Sequence, residues 1–331
     1  MVLLSRKVVA GDSAWERVRW AGRVLRSIAT RSEGSKRYPY RVGEILWNRL
    51  PRQVRSWRAT NAIGRVIHRH ACRVQPRGGG GNFTANYTRF FRNVPQLELL
   101  RDLALPNTIP TKPLRIAVLG CSTGAELYSA MWMLRVARPD QDVEALGVDL
   151  SETCIRTAAA GVYPVGTPEV AGICETSHER LFSRQQNTLR IQDWLKEGVT
   201  WWVGDVCAAD LASHFGLHDL VLANNFLFHM QPERAGDCLR NVSRLVAPNG
   251  YLFVSGVDPD LRSRSARELG LVPVTARLEE IYTAEAGMLT AWPFRFWGLE
   301  PMDRKRPDWH VRYTTAFRLP APGLLPGDRP T

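Results

Sequence analysis

The chain has 331 residues, and its 44 Lys and Arg against 32 Asp and Glu give a formal net charge of +12. That length is ample for an α/β core, which takes about 200 to 250 residues when it forms one domain. Six cysteines, at positions 72, 121, 154, 174, 207 and 238, show no paired metal spacing, and a chain this large needs no disulfide framework, so reduced thiols are expected. No stretch approaches the about 18 uncharged apolar residues of a membrane span, and no signal-peptide core follows the apolar residues 1 to 4. The expectation is a cytoplasmic protein.

The positive charge belongs to one end. Residues 1–80 hold 18 Lys and Arg against 4 Asp and Glu, a balance of +14, whereas the remaining chain holds 26 against 28, or −2. Trp15, Val18, Leu25 and Ile28 follow helical spacing after a cap at Asp12 or Ser13. Further helices are predicted at Val42 to Leu50, stopped by Pro51, and at Val54 to Ala71. Gly78 to Gly81 then make a joint. Residues 1–80 thus read as a basic, Arg-rich helical region, either a solvated face over a core of Trp15, Trp47 and Trp57 or a docking surface for an acidic partner. Nucleic acid is the less favoured partner, because no recognised nucleic-acid module accompanies the arginines. A basic helix carrying Trp also suits an anionic membrane surface.

Leu114 to Leu119 form a short apolar run, the pattern of a strand covered on both faces of a parallel sheet. The run enters the small-residue loop Gly120, Cys121, Ser122, Thr123, Gly124, after which Glu126 opens a helix. Gly120 and Gly124 let the backbone turn tightly and approach a ligand at the carboxyl end of the strand, where open α/β sheets bind. The loop lacks the Gly-x-Gly-x-x-Gly spacing of a dinucleotide fingerprint and the Gly-Lys-Ser/Thr ending of a phosphate loop. A second strand, Val143 to Val148, ends in Asp149, suitably spaced to take ribose hydroxyls. A third, Val199 to Val203, ends in Gly204 and Asp205, and a fourth, Asp219 to Ala223, in Asn224 and Asn225. A fifth, Tyr251 to Ser255, follows a predicted turn at Pro248, Asn249 and Gly250. A single Asp at a strand end is as readily a cap or turn residue. The ordered set is better explained by an S-adenosylmethionine site.

Cys121 to Ser129 (Cys-Ser-Thr-Gly-Ala-Glu-Leu-Tyr-Ser) resemble the Cys-Ser-Thr-Gly-Glu-Glu-Pro-Tyr-Ser loop of CheR-type methyltransferases, the family that methylates glutamates of bacterial chemoreceptors. Upstream, Thr84 to Arg92 (Thr-Ala-Asn-Tyr-Thr-Arg-Phe-Phe-Arg) are similar to its Thr-Thr-Asn-x-Thr-x-Phe-Phe-Arg segment. Ala159, Gly161 and Tyr163 fit its Ala-x-x-Gly-x-Tyr turn, and Arg180, Leu181, Phe182 followed by Leu189, Arg190, Ile191 look like a shortened form of its small strand insertion. The likeness spans residues 83 to 256.

The resemblance implies that Asn86, Thr88 and Arg92 reach the cofactor from the linker before the sheet, with Arg92 beside the reacting centre. It implies Glu126 for the amino group of the methionine moiety, Asp149 for the ribose, and Asp205 with Val206 beside the adenine. Gly120, Ser122, Gly124, Asn224 and Asn225 complete the expected cofactor set. Without the motif, Arg92 reads as a surface ion-pairing residue behind Phe90 and Phe91. The chain also departs from the family: Ala125 replaces the first loop Glu, Asn224 replaces an Arg before Asn225, and His229 stands where the family has Tyr. A carboxylate acceptor needs no general base, whereas an amine or hydroxyl usually does, so His229 is a candidate base; a lone His after Phe226, Leu227 and Phe228 is more often a packed or helix-capping residue.

Beyond the fifth strand, Leu271 to Ala276 and His310 to Leu319 are predicted as terminal strands. Between them Tyr282, Met288, Trp292, Phe294, Phe296 and Trp297 would either roof a pocket or cover the sheet edge. The expected architecture is a class I (Rossmann-like) methyltransferase fold over residues 81–319: a seven-stranded, mostly parallel sheet with helices on both faces, preceded by the basic region and followed by a disordered tail at 320–331. The expected activity is S-adenosylmethionine-dependent methyl transfer to a carboxylate oxygen of a protein or small molecule. Two alternatives stand beside it: a small-molecule O- or N-methyltransferase using His229, and a non-catalytic cofactor-binding module that docks an acidic partner. No metal is expected.

Overall fold

The computed structural model describes residues 49, 63–66, 88–107, 112–173, 179–293 and 298–321. Asn86, the helix expected at 15–28, that expected at 42–50 apart from residue 49, Cys72, Cys174, Phe294, Phe296, Trp297 and residues 322–331 lie outside them. The chain divides into two compact units, residues 1–76 with 291–296 and residues 77–290 with 297–331. In the first, residues 63–66 are helical, within the helix expected over Val54 to Ala71.

Among the described residues, the second unit contains ten strands in two sheets. In chain order they are β1 (Leu114–Leu119), β2 (Val143–Asp149), β3 (Val162–Pro164), β4 (Phe182–Gln185), β5 (Thr188–Ile191), β6 (Val199–Val203), β7 (His218–Leu222), β8 (Val246–Phe253), β9 (Val272–Val274) and β10 (Ala316–Arg318). Seven make one sheet in the order β6-β2-β1-β7-β8-β10-β9, parallel throughout except for β10, which runs antiparallel to both β8 and β9. The chain moves outward from β1 through β2 to β6 and then returns to the other side of β1 with β7. That reversal leaves a crevice at the carboxyl ends of β1 and β7, the place where open α/β sheets bind ligands.

Alternation along β1 splits the core in two. Leu114, Ile116 and Val118 enter one apolar cluster and Ala117 and Leu119 the other, so both faces of the strand are covered, as its nearly unbroken apolar run predicts. The first cluster collects α1 (Val94–Ala104), α2 (Ala125–Ala137) and, through Ile155, α3 (Glu152–Ala160). The second collects α4 (Leu211–Phe215), α5 (Pro232–Ser243) and α6 (Pro259–Glu268). Helix ends follow their local chemistry. The Asn93 side chain accepts from Gln96 N and Pro95 pre-sets the first turn of α1. Ser151 caps α3, and Gly161 ends it at φ 63°.

The remaining strands, β3, β5 and β4, form a small antiparallel sheet. This is the shortened strand insertion, except that Arg180 belongs to a helical turn preceding β4. Cys121, Cys154, Cys207 and Cys238 are free thiols.

Three strand predictions need correction. The turn at Pro248 to Gly250 lies inside β8 as a bulge: His218 pairs with Val246 and Leu220 with Tyr251, so the extra residues loop out, with Asn249 at φ 63°. Leu271 to Ala276 shortens to β9. His310 to Leu319 is helical in its first half, as α8 (Trp309–Tyr313), and only Ala316–Arg318 is strand. The helix arises because Arg312 Nε and the Tyr313 hydroxyl both reach Glu300 Oε1, at 2.5 and 3.0 Å. Successive side chains of a strand would point to opposite faces. Ahead of this, α7 (Leu278–Ala284) carries Tyr282, whose hydroxyl donates to Glu300 O and accepts from Met302 N, at 2.8 and 2.9 Å. Of the aromatic segment, Tyr282 therefore anchors the following chain.

Candidate active site

The loop after β1 is held open by its own backbone. Gly120 at φ 65° and Gly124 at φ 87° adopt the left-handed conformation, and Ser122 between them joins it at φ 50°. A Cβ at Gly124 would lie 2.8 Å from the Trp201 ring and 2.9 Å from Ala158 Cβ, and one at Gly120 would lie 2.8 Å from Phe226. Only glycine fits at both positions. Gly124 N donates to Cys121 O, the Tyr163 hydroxyl holds Thr123 O at 2.6 Å, and α2 starts immediately with the buried Ala125. Cys121 is also buried, and burial pushes its thiol well above the ordinary range, consistent with a packing rather than a reactive role.

Asp149 ends β2 and closes the loop from the side. Its Oδ2 accepts Ser122 N at 2.8 Å and its Oδ1 accepts Ser151 N at 2.9 Å. An ionised carboxylate offers about four acceptor positions, so two remain for paired hydroxyls. Leu150, next in sequence, is 74% exposed, an apolar surface at the mouth of the site that the sequence reading did not single out. At the end of β6, Asp205 spends Oδ1 on Cys207 N and pairs Oδ2 with Arg234 at 3.3 Å, while Val206 is buried. Replacing Asp149 with Ala removes charge-assisted bonds worth about 1.5 to 3 kcal/mol, so S-adenosylmethionine affinity should fall roughly tenfold or more in a calorimetric titration. Unchanged affinity would rule out the ribose role.

The floor of the crevice is a buried polar chain. Asn224 Nδ2 donates to Glu126 Oε1 at 2.8 Å and to Gln96 Oε1 at 2.9 Å, and its Oδ1 accepts Ser255 N at 2.9 Å. Gln96 Nε2 passes on to Thr315 Oγ1 at 2.9 Å. Asn224 thus acts as a tether for Glu126, a role that its strand-end position alone did not reveal. Asn225 follows at φ 62°, and its buried Oδ1 has no hydrogen-bond partner within the protein.

Arg92 reaches this floor through the linker motif. The Phe90 ring packs edge-on against Tyr163 and Phe182, with centroids 5.1 and 5.0 Å away, which fixes the linker to the small sheet. Phe91 N donates to Ser129 Oγ at 3.0 Å, and Phe91 sits at φ 50°, a conformation that a bulky residue adopts only when its surroundings impose it. The chain reverses there. Arg92, half-buried, then lines a pocket together with Asn93, Gln96, Glu126, Asn225 and Glu285. Thr88 is buried just upstream.

Two carboxylates share that pocket. Burial raises the pKa of Glu126, while its bond from Asn224 and the nearby Arg92 charge pull the other way. Glu285, which follows α7, is likewise raised by burial, against the charges of Arg92 and Arg262 and the neighbouring Asn93 amide. Glu285 was not among the expected site residues; nothing in its local sequence marks it, and only the packing of α7 against α1 brings it here. His229 is not brought into this pocket. It ends a 3-10 turn, Leu227–His229, with its ring centroid 4.1 Å from that of Phe228, and burial lowers its pKa.

S-adenosylmethionine fits these residues. Glu126 lines the pocket as a half-buried carboxylate tethered by the neutral Asn224 amide, Asn225 offers an unsatisfied acceptor, Asp149 has acceptor capacity to spare, and the two glycines keep the loop free of side chains. Fold and site together define an S-adenosylmethionine-dependent methyltransferase of the Rossmann-like class. Residues 86–268 match the CheR methyltransferase, SAM binding domain, and the chain belongs to the CheR methyltransferase family. It is 30% identical over 189 residues to a probable biofilm formation methyltransferase, WspC, of Pseudomonas putida, covering 56% of this chain and 44% of that protein. It is 25% identical over 209 residues to chemotaxis protein methyltransferase 1 of Pseudomonas aeruginosa, covering 58% and 74%. The chain thus spans about half the length of the WspC relatives it matches. Among solved structures, magnesium protoporphyrin IX methyltransferase of Synechocystis with bound SAM is 14% identical, with a TM-score of 0.33 over 64% of this chain and 87% of that one.

Proposed function

We propose that the protein transfers a methyl group to a carboxylate oxygen, a glutamate-like side chain of a protein partner, in the cytoplasm of a bacterium. The observation that carries this reading is the placement of Arg92. A guanidinium at the cofactor pocket offers paired N–H donors matched to a carboxylate. The names of the relatives, chemotaxis and biofilm methyltransferases, support a protein acceptor in a signalling assembly. No helix among the described residues is long and apolar enough to cross a membrane. The Arg-rich residues 1–80 would supply the docking face for an acidic partner.

S-adenosylmethionine, when bound, supplies an electrophilic methyl on a sulfonium. Glu126, tethered by Asn224, would hold the amino group; Asp149 would hold the ribose, and the Asp205 and Val206 turn would flank the adenine. Arg92 would aim one carboxylate oxygen at the methyl for in-line attack. An acceptor carboxylate is already ionised at neutral pH, so catalysis rests on positioning and needs no proton transfer.

Incubation with methyl-labelled S-adenosylmethionine and bacterial extract should give a protein-bound label that alkali releases as methanol. A label stable to alkali would identify an ether or methylamine and overturn the reading. His229→Gln separates the same alternatives. With a carboxylate acceptor the variant should lose only a few-fold in turnover; with an amine or hydroxyl acceptor it should lose about 10² to 10⁴ and also lose a pH limb. Burial lowers the His229 pKa, so that limb would lie below the ordinary histidine range.

A further inference from the structure

The loop that opens to the cofactor is costly to hold. Gly120, Ser122 and Gly124 all sit in the left-handed region, and for Ser122 at φ 50° that conformation persists only where neighbours impose it. Asp149 grips the loop on one side, through Ser122 N. The other side is held by a turn that the chemistry above does not use, that of Ala159, Gly161 and Tyr163. α3 ends at Gly161, where a Cβ would lie 2.9 Å from Lys196 Cε and 3.2 Å from Ile191 Cβ, so only glycine lets the chain reverse into β3 there. Ala158, in the last turn of α3, packs against Gly124, and its carbonyl accepts the Tyr128 hydroxyl at 2.7 Å. Two residues past Gly161, Tyr163 is 1% exposed and donates its hydroxyl to Thr123 O at 2.6 Å. Burial pushes that hydroxyl well above its ordinary pKa, so it keeps its proton and donates at neutral pH.

The same ring carries the linker. Phe90 stands edge-on to Tyr163, with centroids 5.1 Å apart and planes at 89°, and Phe90 N donates to Glu169 O at 2.9 Å in the segment after β3. Phe90 lies two residues before Arg92. One buried side chain therefore meets the cofactor loop with its hydroxyl and the Arg92 linker with its ring. We propose that Tyr163 is a positioning residue for methyl transfer: its hydroxyl fixes the loop for the cofactor, and its ring, through Phe90, fixes the linker that aims Arg92. The second half rests on the acceptor role of Arg92 proposed above, and the first does not. A hydroxyl and a ring contact can be removed one at a time, so the two duties separate. Without the hydroxyl, Thr123 O loses its buried donor, and part of the cofactor's binding energy is spent on reordering a left-handed loop. Without the Phe90 ring, the loop bond stays while the linker loses its edge-on seat, and Arg92 samples positions other than the productive one.

The test compares the full chain with Tyr163→Phe and Phe90→Leu. Affinity for S-adenosylhomocysteine is measured by calorimetric titration at a temperature where circular dichroism shows all three proteins folded. The transfer rate is measured as protein-bound label formed in bacterial extract at saturating methyl-labelled S-adenosylmethionine. Tyr163→Phe should bind S-adenosylhomocysteine about 5- to 10-fold more weakly and keep a rate within about twofold of the parent. Phe90→Leu should do the reverse, with affinity within about twofold and a rate lower by about tenfold or more. A tyrosine that served only the stability of the fold would lower the melting temperature and leave the affinity of the folded protein as it was. Unchanged affinity in Tyr163→Phe therefore overturns the proposal, as does a rate at saturation that falls along with its affinity. An intact rate in Phe90→Leu overturns the linker half. Arg92→Ala, assayed beside it, then locates the fault, since an intact rate there as well would sink the acceptor role of Arg92 itself.

Discussion

Arg92→Ala is expected to lower single-turnover methylation of a carboxylate acceptor by about 10² to 10³, the equivalent of about 3 to 4 kcal/mol of lost transition-state positioning. The same substitution should leave S-adenosylmethionine affinity unchanged or slightly improved. The reason is electrostatic: without the guanidinium, Glu126 and Glu285 remain as two carboxylates lining the pocket and attract the cofactor's ammonium more strongly. Arg92→Lys should recover only part of the rate, since a point charge cannot reproduce the planar pair of donors. Rapid-quench kinetics with labelled cofactor, beside calorimetry, measures both quantities. Weakened cofactor binding with unaltered chemistry would assign Arg92 to the cofactor instead of the acceptor.

Glu300→Gln should be the most destabilising of the substitutions considered, at about 3 to 5 kcal/mol, because it strips one partner from a buried ion pair. Glu300 and Arg312 are 3% and 2% exposed, 2.5 Å apart, and Arg312 also reaches Asp260 at 2.6 Å. Glu300 takes the Tyr313 hydroxyl as well, and its backbone carbonyl takes that of Tyr282. The cluster fastens the chain between α7 and α8 to the sheet, where Gly298 lies so close to Gly256 that a Cβ would come within 2.4 Å. Chemical denaturation with urea should show the loss as a lower midpoint at an unchanged slope. A loss below about 1 kcal/mol would mean that Asp260 and water suffice for Arg312.

The catalytic fold was legible because its signals are local. An apolar run covered on both faces marks β1 at its observed ends, Leu114 and Leu119; β6 also keeps its expected ends, Val199 and Val203, although it lies at the sheet edge and is largely exposed. Two glycines five positions or fewer beyond β1 announce the loop, and acidic or amide residues close β2, β6 and β7 because strand ends are where a parallel sheet presents polar groups to a ligand. The C-terminal edge was less legible. Bulges, and helices that start because a distant carboxylate needs partners, leave no period in the sequence: β8 swallowed its expected turn, and α8 replaced half of a strand.

The sequence by itself determined the architecture of the second unit, its family and the residues around the cofactor loop, since these depend on backbone freedom, apolar period and short motifs. Tertiary structure decided what those residues face. Phe91 turns left-handed because Phe90 and Ser129 fix the chain on either side of it, and that reversal delivers Arg92 to the pocket. Asn224 became a tether instead of a direct ligand candidate because Gln96 and Glu126 converge on it from two helices. Glu285 entered the site from far along the chain through the packing of α7 on α1. Burial, which raises or lowers the affinity of such groups for protons and partners, is a property of that packing, and no single segment of sequence carries it.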